Sequence, residues 1–323
     1  MAIHSTVKCA ALIGLFAVVL VGCGSTAPAI PPAKLVDIVN PSVSVQEKWK
    51  QRIGSGGDYA GAAFQPVAMD GIVYAAAESG RVSALALDSG DLVWRADVDQ
   101  PLRSGVSVDN QSVYMATRDG QLIALDRESG AERWRTVVNR EILEPAVVSG
   151  GRVLARAANG DVLSFDVVTG EQLWRYGSRV PDLSVRGSGA PLWVPGGYIV
   201  PLDDGSLVAL DQNLGRALWK TQISEPRGST PVERIVDVDT APVLIGNRVV
   251  VGSRRGDLKA VDGQNGRVAW QRKLEAVSAI TGAREELFVV QQNGHVLSVS
   301  AENGAPQWRQ ESLLGRRLTA PVV

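Results

Sequence analysis

Six times along this chain a glycine is followed ten residues later by a second glycine and fourteen residues later by a tryptophan. The six sets are Gly80-Gly90-Trp94, Gly120-Gly130-Trp134, Gly160-Gly170-Trp174, Gly205-Gly215-Trp219, Gly256-Gly266-Trp270 and Gly294-Gly304-Trp308. Spacing inside the unit is constant, while successive units are 40, 40, 45, 51 and 38 residues apart. A fixed internal period makes each repeat one supersecondary unit that buries its apolar face against its neighbours. Most of the tryptophans and glycines are therefore structural, and function belongs where the period is broken.

Residues 103–135 show what one unit contains. Short β-branched and apolar runs (Ser107-Val108, Ser112 to Ala116, Gln121 to Leu125, Ala131 to Trp134) are separated by turns at Asp109-Asn110, Asp119-Gly120 and Asp126 to Gly130. Four strands in roughly 40 residues is the arithmetic of a propeller blade. Outside the N-terminal leader no segment keeps a helical period. The first glycine permits a positive φ in the turn between strands two and three, and the second does so between strands three and four. Asp126, Asp166, Asp211 and Asp262 stand where a carboxylate bonds turn amides. Each Trp is expected to end the outer strand and to bury on the order of 150–250 Å² against a small, flat partner at the Gly and Ala positions. The other reading of a Trp, a surface for stacking a ligand, has no further support in the pattern.

The motif Ala124-x-Asp126-x-x-x-Gly130-x-x-x-Trp134 resembles the tryptophan-docking motif of the quinoprotein (PQQ-type) propellers, and Ala209/Asp211 and Ala260/Asp262 repeat it. Ala86 and Ser300 depart from the Asp, and Ser164 and Ser298 from the Ala. The fold class this implies is an all-β propeller of four-stranded blades, with six complete repeats between about residue 60 and 310.

Residues 1–22 read as a secretory signal: Lys8, then an apolar stretch from Cys9 to Gly22, too short to span a membrane. Leu20-Val21-Gly22-Cys23 resembles a bacterial lipobox, which implies cleavage before Cys23 and lipid on that residue; an ordinary signal with a chance Cys is the alternative. Gly24 rather than Asp follows, which in the enterobacterial sorting rule directs the protein to the outer membrane. Residues 23–42 are expected to carry the lipid and a flexible, Pro-rich tether, and 43–323 the propeller. Of the two Cys, Cys9 leaves with the signal and Cys23 carries lipid, so no disulfide is expected.

Trp49 looks like an outer strand with no blade before it, completing a last blade whose other strands come from the C-terminus. Leu318 to Val323 resembles Asp239 to Val243, the start of a blade. On this reading the ring is incomplete at its C-terminus and has an exposed edge, an aggregation hazard. Roughly 25 further residues would close seven blades and roughly 65 would close eight.

The period breaks in two adjacent places. From each Trp to the next first glycine is 26 residues twice, then 31 after Trp174, 37 after Trp219 and 24 after Trp270. The insertions, Tyr176 to Gly187 and Ser224 to Asp239, lie in connections that emerge on one propeller face, the usual mark of a binding surface in a repeat protein. Leu183 and Val185 can present an apolar patch. Arg186 can pair with a partner's carboxylate or with Asp237 and Asp239. A protein interface fits these residues, and so do solvated loops with internally paired charges.

Lipobox, tether, docking motif and the run Arg234-Ile235-Val236-Asp237-Val238-Asp239-Thr240 together resemble the lipoprotein subunits of the outer-membrane β-barrel assembly machine. That family is eight-bladed, has no catalytic activity and binds the periplasmic POTRA domains of BamA. The resemblance implies partner-binding roles for Leu183, Val185, Arg186, Asp237 and Asp239, with Val185 standing where the family has Leu. It implies a scaffold that assists insertion of β-barrel proteins, held by Cys23 on the periplasmic face of the outer membrane. The other machine subunits are implied partners too. Nascent outer-membrane proteins, accepted by strand addition, would be a further partner class.

Other classes find less. Quinoprotein dehydrogenases are much longer and carry a ring-embedded cofactor, calcium, a carboxylate base and a vicinal disulfide; this chain has no adjacent Cys pair. His295, in a turn, reads as solvated rather than catalytic. No metal-ligand spacing, phosphate loop or nucleophile elbow occurs, so no catalytic residue, metal or cofactor is expected. A sugar- or peptidoglycan-binding propeller using its channel remains the alternative binding class. With 33 basic and 34 acidic residues there is no excess for nucleic acid.

Overall fold

The Asp-x-x-x-Gly turn sets the local geometry. Asp126 Oδ1 accepts from the amides of Glu128 (3.2 Å) and Ser129 (3.0 Å). Asp166, Asp211 and Asp262 do the same with the amides two and three residues on. Gly130 then takes φ +74, which hands the chain back antiparallel. In the computed structural model the described residues are 31–36, 43–54, 64–142, 144–178, 181, 189–230, 232–236, 238, 240–316 and 318–322.

They form six four-stranded antiparallel sheets, each in simple sequential order. Blade 1 is β1 (Val67–Met69), β2 (Ile72–Ala76), β3 (Arg81–Ala86) and β4 (Leu92–Asp97). Blade 2 is β5 (Ser107–Val108), β6 (Ser112–Ala116), β7 (Gln121–Asp126) and β8 (Glu132–Val137). Blade 3 is β9 (Val147–Ser149), β10 (Arg152–Arg156), β11 (Val162–Asp166) and β12 (Gln172–Tyr176). Blade 4 is β13 (Leu192–Val194), β14 (Gly197–Pro201), β15 (Ser206–Asp211) and β16 (Ala217–Gln222). Blade 5 is β17 (Val243–Ile245), β18 (Arg248–Gly252), β19 (Asp257–Asp262) and β20 (Val268–Lys273). Blade 6 is β21 (Val277–Ala283), β22 (Glu286–Gln291), β23 (Val296–Ser300) and β24 (Pro306–Gln310). The first strands of successive blades are neighbours (β1 with β5, β5 with β9, β9 with β13, β17 with β21), so they are the inner ones. The expected all-β propeller blades are present.

The core lies between blades rather than within them. One cluster joins Tyr74, Val82 and Trp94 of blade 1 to Val113, Met115 and Ile123 of blade 2, and similar clusters follow around the series. Middle strands are covered on both faces, so β6 is buried at every position. Such strands read as continuous apolar runs instead of alternating ones.

The tryptophans are where the structure corrects the reading. Each lies inside its outer strand: Trp134 is third of six in β8, which continues to Val137. A bulge precedes it in every blade, with Leu125 opposite Glu132 but Ala124 opposite Trp134, so that Arg133 is unpaired. The same shift occurs in the other five sheets. An extra residue re-aims the side chain, and here it turns the indole toward the next blade. Ala or Ser directly opposite leaves room for it; the Ser298 hydroxyl bonds Glu286 and Gln307, whereas that of Ser164 is buried with no partner among the described residues. The second glycine of the following blade receives the ring. A Cβ on Gly130 would stand 2.6 Å from Trp94 Cε3. Indole Nε1 donates to the carbonyl three residues before that glycine: Trp94 to Arg127 (2.8 Å), Trp134 to Val167 (3.1 Å), Trp174 to Gln212 (2.9 Å), Trp219 to Gly263 (3.1 Å) and Trp270 to Ala301 (3.0 Å).

Trp49 docks identically on Gly90 and Leu87 (2.8 Å), although residues 44–54 form no strand because no partner strand lies beside them among the described residues. Leu318 to Val322, expected to open a blade, likewise form none; the Thr281 hydroxyl of β21 donates to the Pro321 carbonyl at 2.8 Å. Within the tether, Ala33 donates to Leu314 O (2.8 Å) and accepts from Arg316 (2.9 Å), so this part is pinned to the connection after blade 6. The leader and Cys23 lie outside the described residues.

Candidate docking surface

Where each outer strand ends, the chain folds over the turn between the second and third strands of its own blade. The carbonyl of the first glycine accepts from the departing chain: Val138 to Gly120 (2.8 Å), Ile223 to Gly205 (2.9 Å), Leu274 to Gly256 (2.7 Å). A Cβ on Gly120 would stand 2.6 Å from Arg140 O, so this glycine serves close backbone approach as well as positive φ. All such connections therefore leave from one face, and both insertions occur in connections of this kind.

The two connections that carry the insertions meet. The Gly189 amide, two residues past the first insertion, faces Val238 O in the second at 3.5 Å, and a Cβ on Gly189 would collide with the Thr240 backbone. Val236 and Val238 are buried, as Val236 packs over Gly205. Thr240 locks the exit, its hydroxyl accepting from Gly252 N (2.7 Å) and donating to Gly252 O (3.1 Å). Leu183, Val185, Arg186, Asp237 and Asp239 lie outside the described residues; what is placed is the framework on both sides of them. Buried Val236 and Val238 bracket Asp237 in sequence.

A capping box organises the middle of the second insertion, a feature the sequence reading missed although Thr230-Pro231-Val232-Glu233 spells it. Glu233 Oε2 accepts from the amides of Ser229 (2.8 Å) and Thr230 (3.0 Å), and Thr230 Oγ1 accepts from Glu233 N (3.3 Å), opening the 3-10 turn Val232–Arg234. The Thr230 and Ser229 amides hold the Glu233 carboxyl below its ordinary pKa. Arg234 Nε reaches Gly228 O at 3.1 Å, closing the loop.

Two ion pairs tie blades together on this face, one between successive connections and one where the second strands of blades 3 and 4 end. Arg103 meets Glu141 at 2.6 Å, and Arg156 meets Asp203 at 2.7 Å with both side chains almost wholly buried. His295, expected to be solvated, is buried: Gly294 beside it packs under Leu313 O, and Nδ1 faces Asn293 (3.0 Å) and Arg309. With two donors on it, Nδ1 acts as acceptor and the ring as a structural link. No group of three or more His, Cys, Asp or Glu side chains suited to a metal occurs among the described residues.

A protein-family model described as outer membrane protein assembly factor BamB matches residues 47–310. The chain belongs to the BamB family. It is 43% identical to outer membrane protein assembly factor BamB of Pseudomonas aeruginosa over 98% of this chain and 83% of that one. Identity to the Alkalilimnicola ehrlichii BamB is 46%, over 97% of this chain and 81% of that one. The crystal structure of BamB from Moraxella catarrhalis superposes with TM-score 0.73 at 26% identity, covering 77% of this chain and 76% of that one. A europium-containing methanol dehydrogenase shares the fold alone, with TM-score 0.64 at 15% identity, 76% of this chain and 70% of that one. The resemblance drawn from the docking motif and the Arg234–Thr240 run thus leads to the right family.

Proposed function

We propose that this member of the BamB family is a non-enzymatic scaffold that docks the POTRA domains of BamA through its two insertions and so assists assembly of outer-membrane β-barrels. Leu183 and Val185 supply the apolar centre, Arg186 a cation for a partner carboxylate, and Asp237 and Asp239 an acidic pair on the facing loop. The observation that carries this is the meeting of the two period-breaking connections, Gly189 against Val238 and Thr240, on one face. An apolar centre with charges around it is the usual anatomy of a protein interface. Interlocked blades make the platform rigid, so little order need be gained on docking. Lipid on Cys23 would hold it at the periplasmic face of the outer membrane, within reach of the other machine subunits and of nascent barrels. No cofactor enters this reading.

Binding of the purified chain to BamA POTRA domains tests it, with wild type beside Arg186→Glu and Asp237→Lys/Asp239→Lys. Each variant should weaken binding by about tenfold or more, as reversal of a central interface charge does, with unchanged melting. Absence of wild-type binding removes the partner.

A further inference from the structure

The second insertion also walls a cavity of about 640 Å³ whose opposite side is β19 and β20 of blade 5. Five cations line it, Arg227, Arg255, Lys259, Arg272 and Lys273, against Glu225 and Asp257. The whole chain is balanced, with 33 basic and 34 acidic residues, so the excess is local. Both carboxylates are occupied: Glu225 by Arg227 at 3.1 Å, Asp257 by Lys273 at 2.9 Å and the Ser224 hydroxyl at 2.6 Å. Of the other cations, Arg255 stands near the Glu233 carboxylate and Lys259 near that of Asp257, and both donate hydrogen bonds to backbone carbonyls. Arg255 donates to the carbonyls of Arg227 (3.0 Å) and Glu233, and Lys259 Nζ to Gln222 O at 3.2 Å. Arg272 stands two residues after its Trp, where Thr136 and Thr221 of blades 2 and 4 bond the next blade's Gly170 and Gly266 carbonyls at 2.6 Å. In blade 5 that position extends a guanidinium instead, its stem lying over Gly304.

Cations fixed by carbonyl contacts in a concave wall concentrate positive potential on whatever enters. The volume is that of a ligand pocket rather than a single-ion site. It is also continuous with the second insertion, since Arg255 clamps the carbonyls of Arg227, near its start, and of Glu233, in its middle. We propose that the cavity receives an acidic segment of a protein partner, a run of Asp and Glu side chains, extending the docking face. This choice of a peptide rests on the docking reading given above.

A fluorescein-labelled deca-glutamate peptide is titrated into the full chain at low salt. Wild type is compared with Lys259→Glu/Arg272→Glu, with Arg272→Gln, and with Arg95→Glu/Arg216→Glu, an equal charge reversal on other exposed surface. Tight binding is expected to fall about tenfold or more in the first variant and about threefold in the second, and by less than twofold in the third. Rising salt should erase the differences. No wild-type binding, or an equal loss in the Arg95/Arg216 control, overturns the site. Tighter binding of pyrophosphate or of phosphatidylglycerol vesicles than of the peptide overturns the choice of ligand. Arg186→Glu should leave peptide affinity unchanged while weakening POTRA binding about tenfold or more, so the cavity can stand if the docking reading falls, and the reverse.

Discussion

At the scale of a residue, the second glycine of each repeat is fixed by two demands that can be separated. Gly71 and Gly130 share nearly the same backbone, φ +76 and +74. A Cβ on Gly71 meets nothing within 4 Å, whereas one on Gly130 meets the Trp94 ring at 2.6 Å. Gly71→Ala should therefore cost only the left-handed penalty, about 1–2 kcal/mol. Gly130→Ala adds overpacking, about 1–3 kcal/mol more. Urea unfolding of both variants gives the difference, and equal losses would mean the ring does not need the glycine. The motif's departures have graded consequences. Ser300, in place of Asp, receives only the Glu302 amide at 3.3 Å, while Asn303 bonds Ala305 N at 2.8 Å to support the turn.

At the scale of an element, the second insertion is held by its own capping box. The Glu233 carboxyl lies below its ordinary value of 4.5 because its charged form accepts the Thr230 and Ser229 amides. A carboxylate with a depressed folded-state pKa stabilises above the unfolded value and ceases to do so as pH falls through the folded one. Hydrogen-exchange protection of the Ser229 and Thr230 amides should therefore be present at pH 7 and lost on acidification below about 4.5, while β19 remains protected. Glu233→Gln should remove most of that pH dependence; protection that persists in acid would show the loop is held by other contacts. The sequence carried this signal in Thr230 to Glu233, but a capping box is weak evidence without the helical turn it opens.

At the scale of the molecule, blades are joined by tryptophans outside and ion pairs inside. Arg156 and Asp203 bridge blades 3 and 4 with side chains about 4% and 10% exposed. Arg156 Nη2 makes that contact, while Nε and Nη1 have no hydrogen-bond partner among the described residues. Desolvation also drives the Glu144 carboxyl upward against the opposing pull of Arg156, so the neighbourhood is dry and charged. Asp203→Ala strands the guanidinium and should cost about 3–5 kcal/mol. The double change Arg156→Met/Asp203→Leu should cost much less, since well-packed apolar replacements of buried pairs are often neutral. Chemical denaturation of single and double variants measures this, and an equal loss in both would assign the effect to packing rather than charge.

The sequence by itself determined the blades, their strands and their turns. Those features rest on local rules that a constant Gly–Gly–Trp spacing repeats until chance is excluded. It also located both insertions, because a broken period is visible without coordinates. Only the tertiary structure decided what depends on a covering neighbour: the bulge that aims Trp134 at Gly170, the burial of His295 under the chain after blade 6, and the pinning of Ala33 by Arg316. The cavity beside Arg272 belongs to the same class. Its five cations run from Arg227 to Lys273, 46 residues apart in the chain, and their convergence is a property of packing that no linear pattern contains.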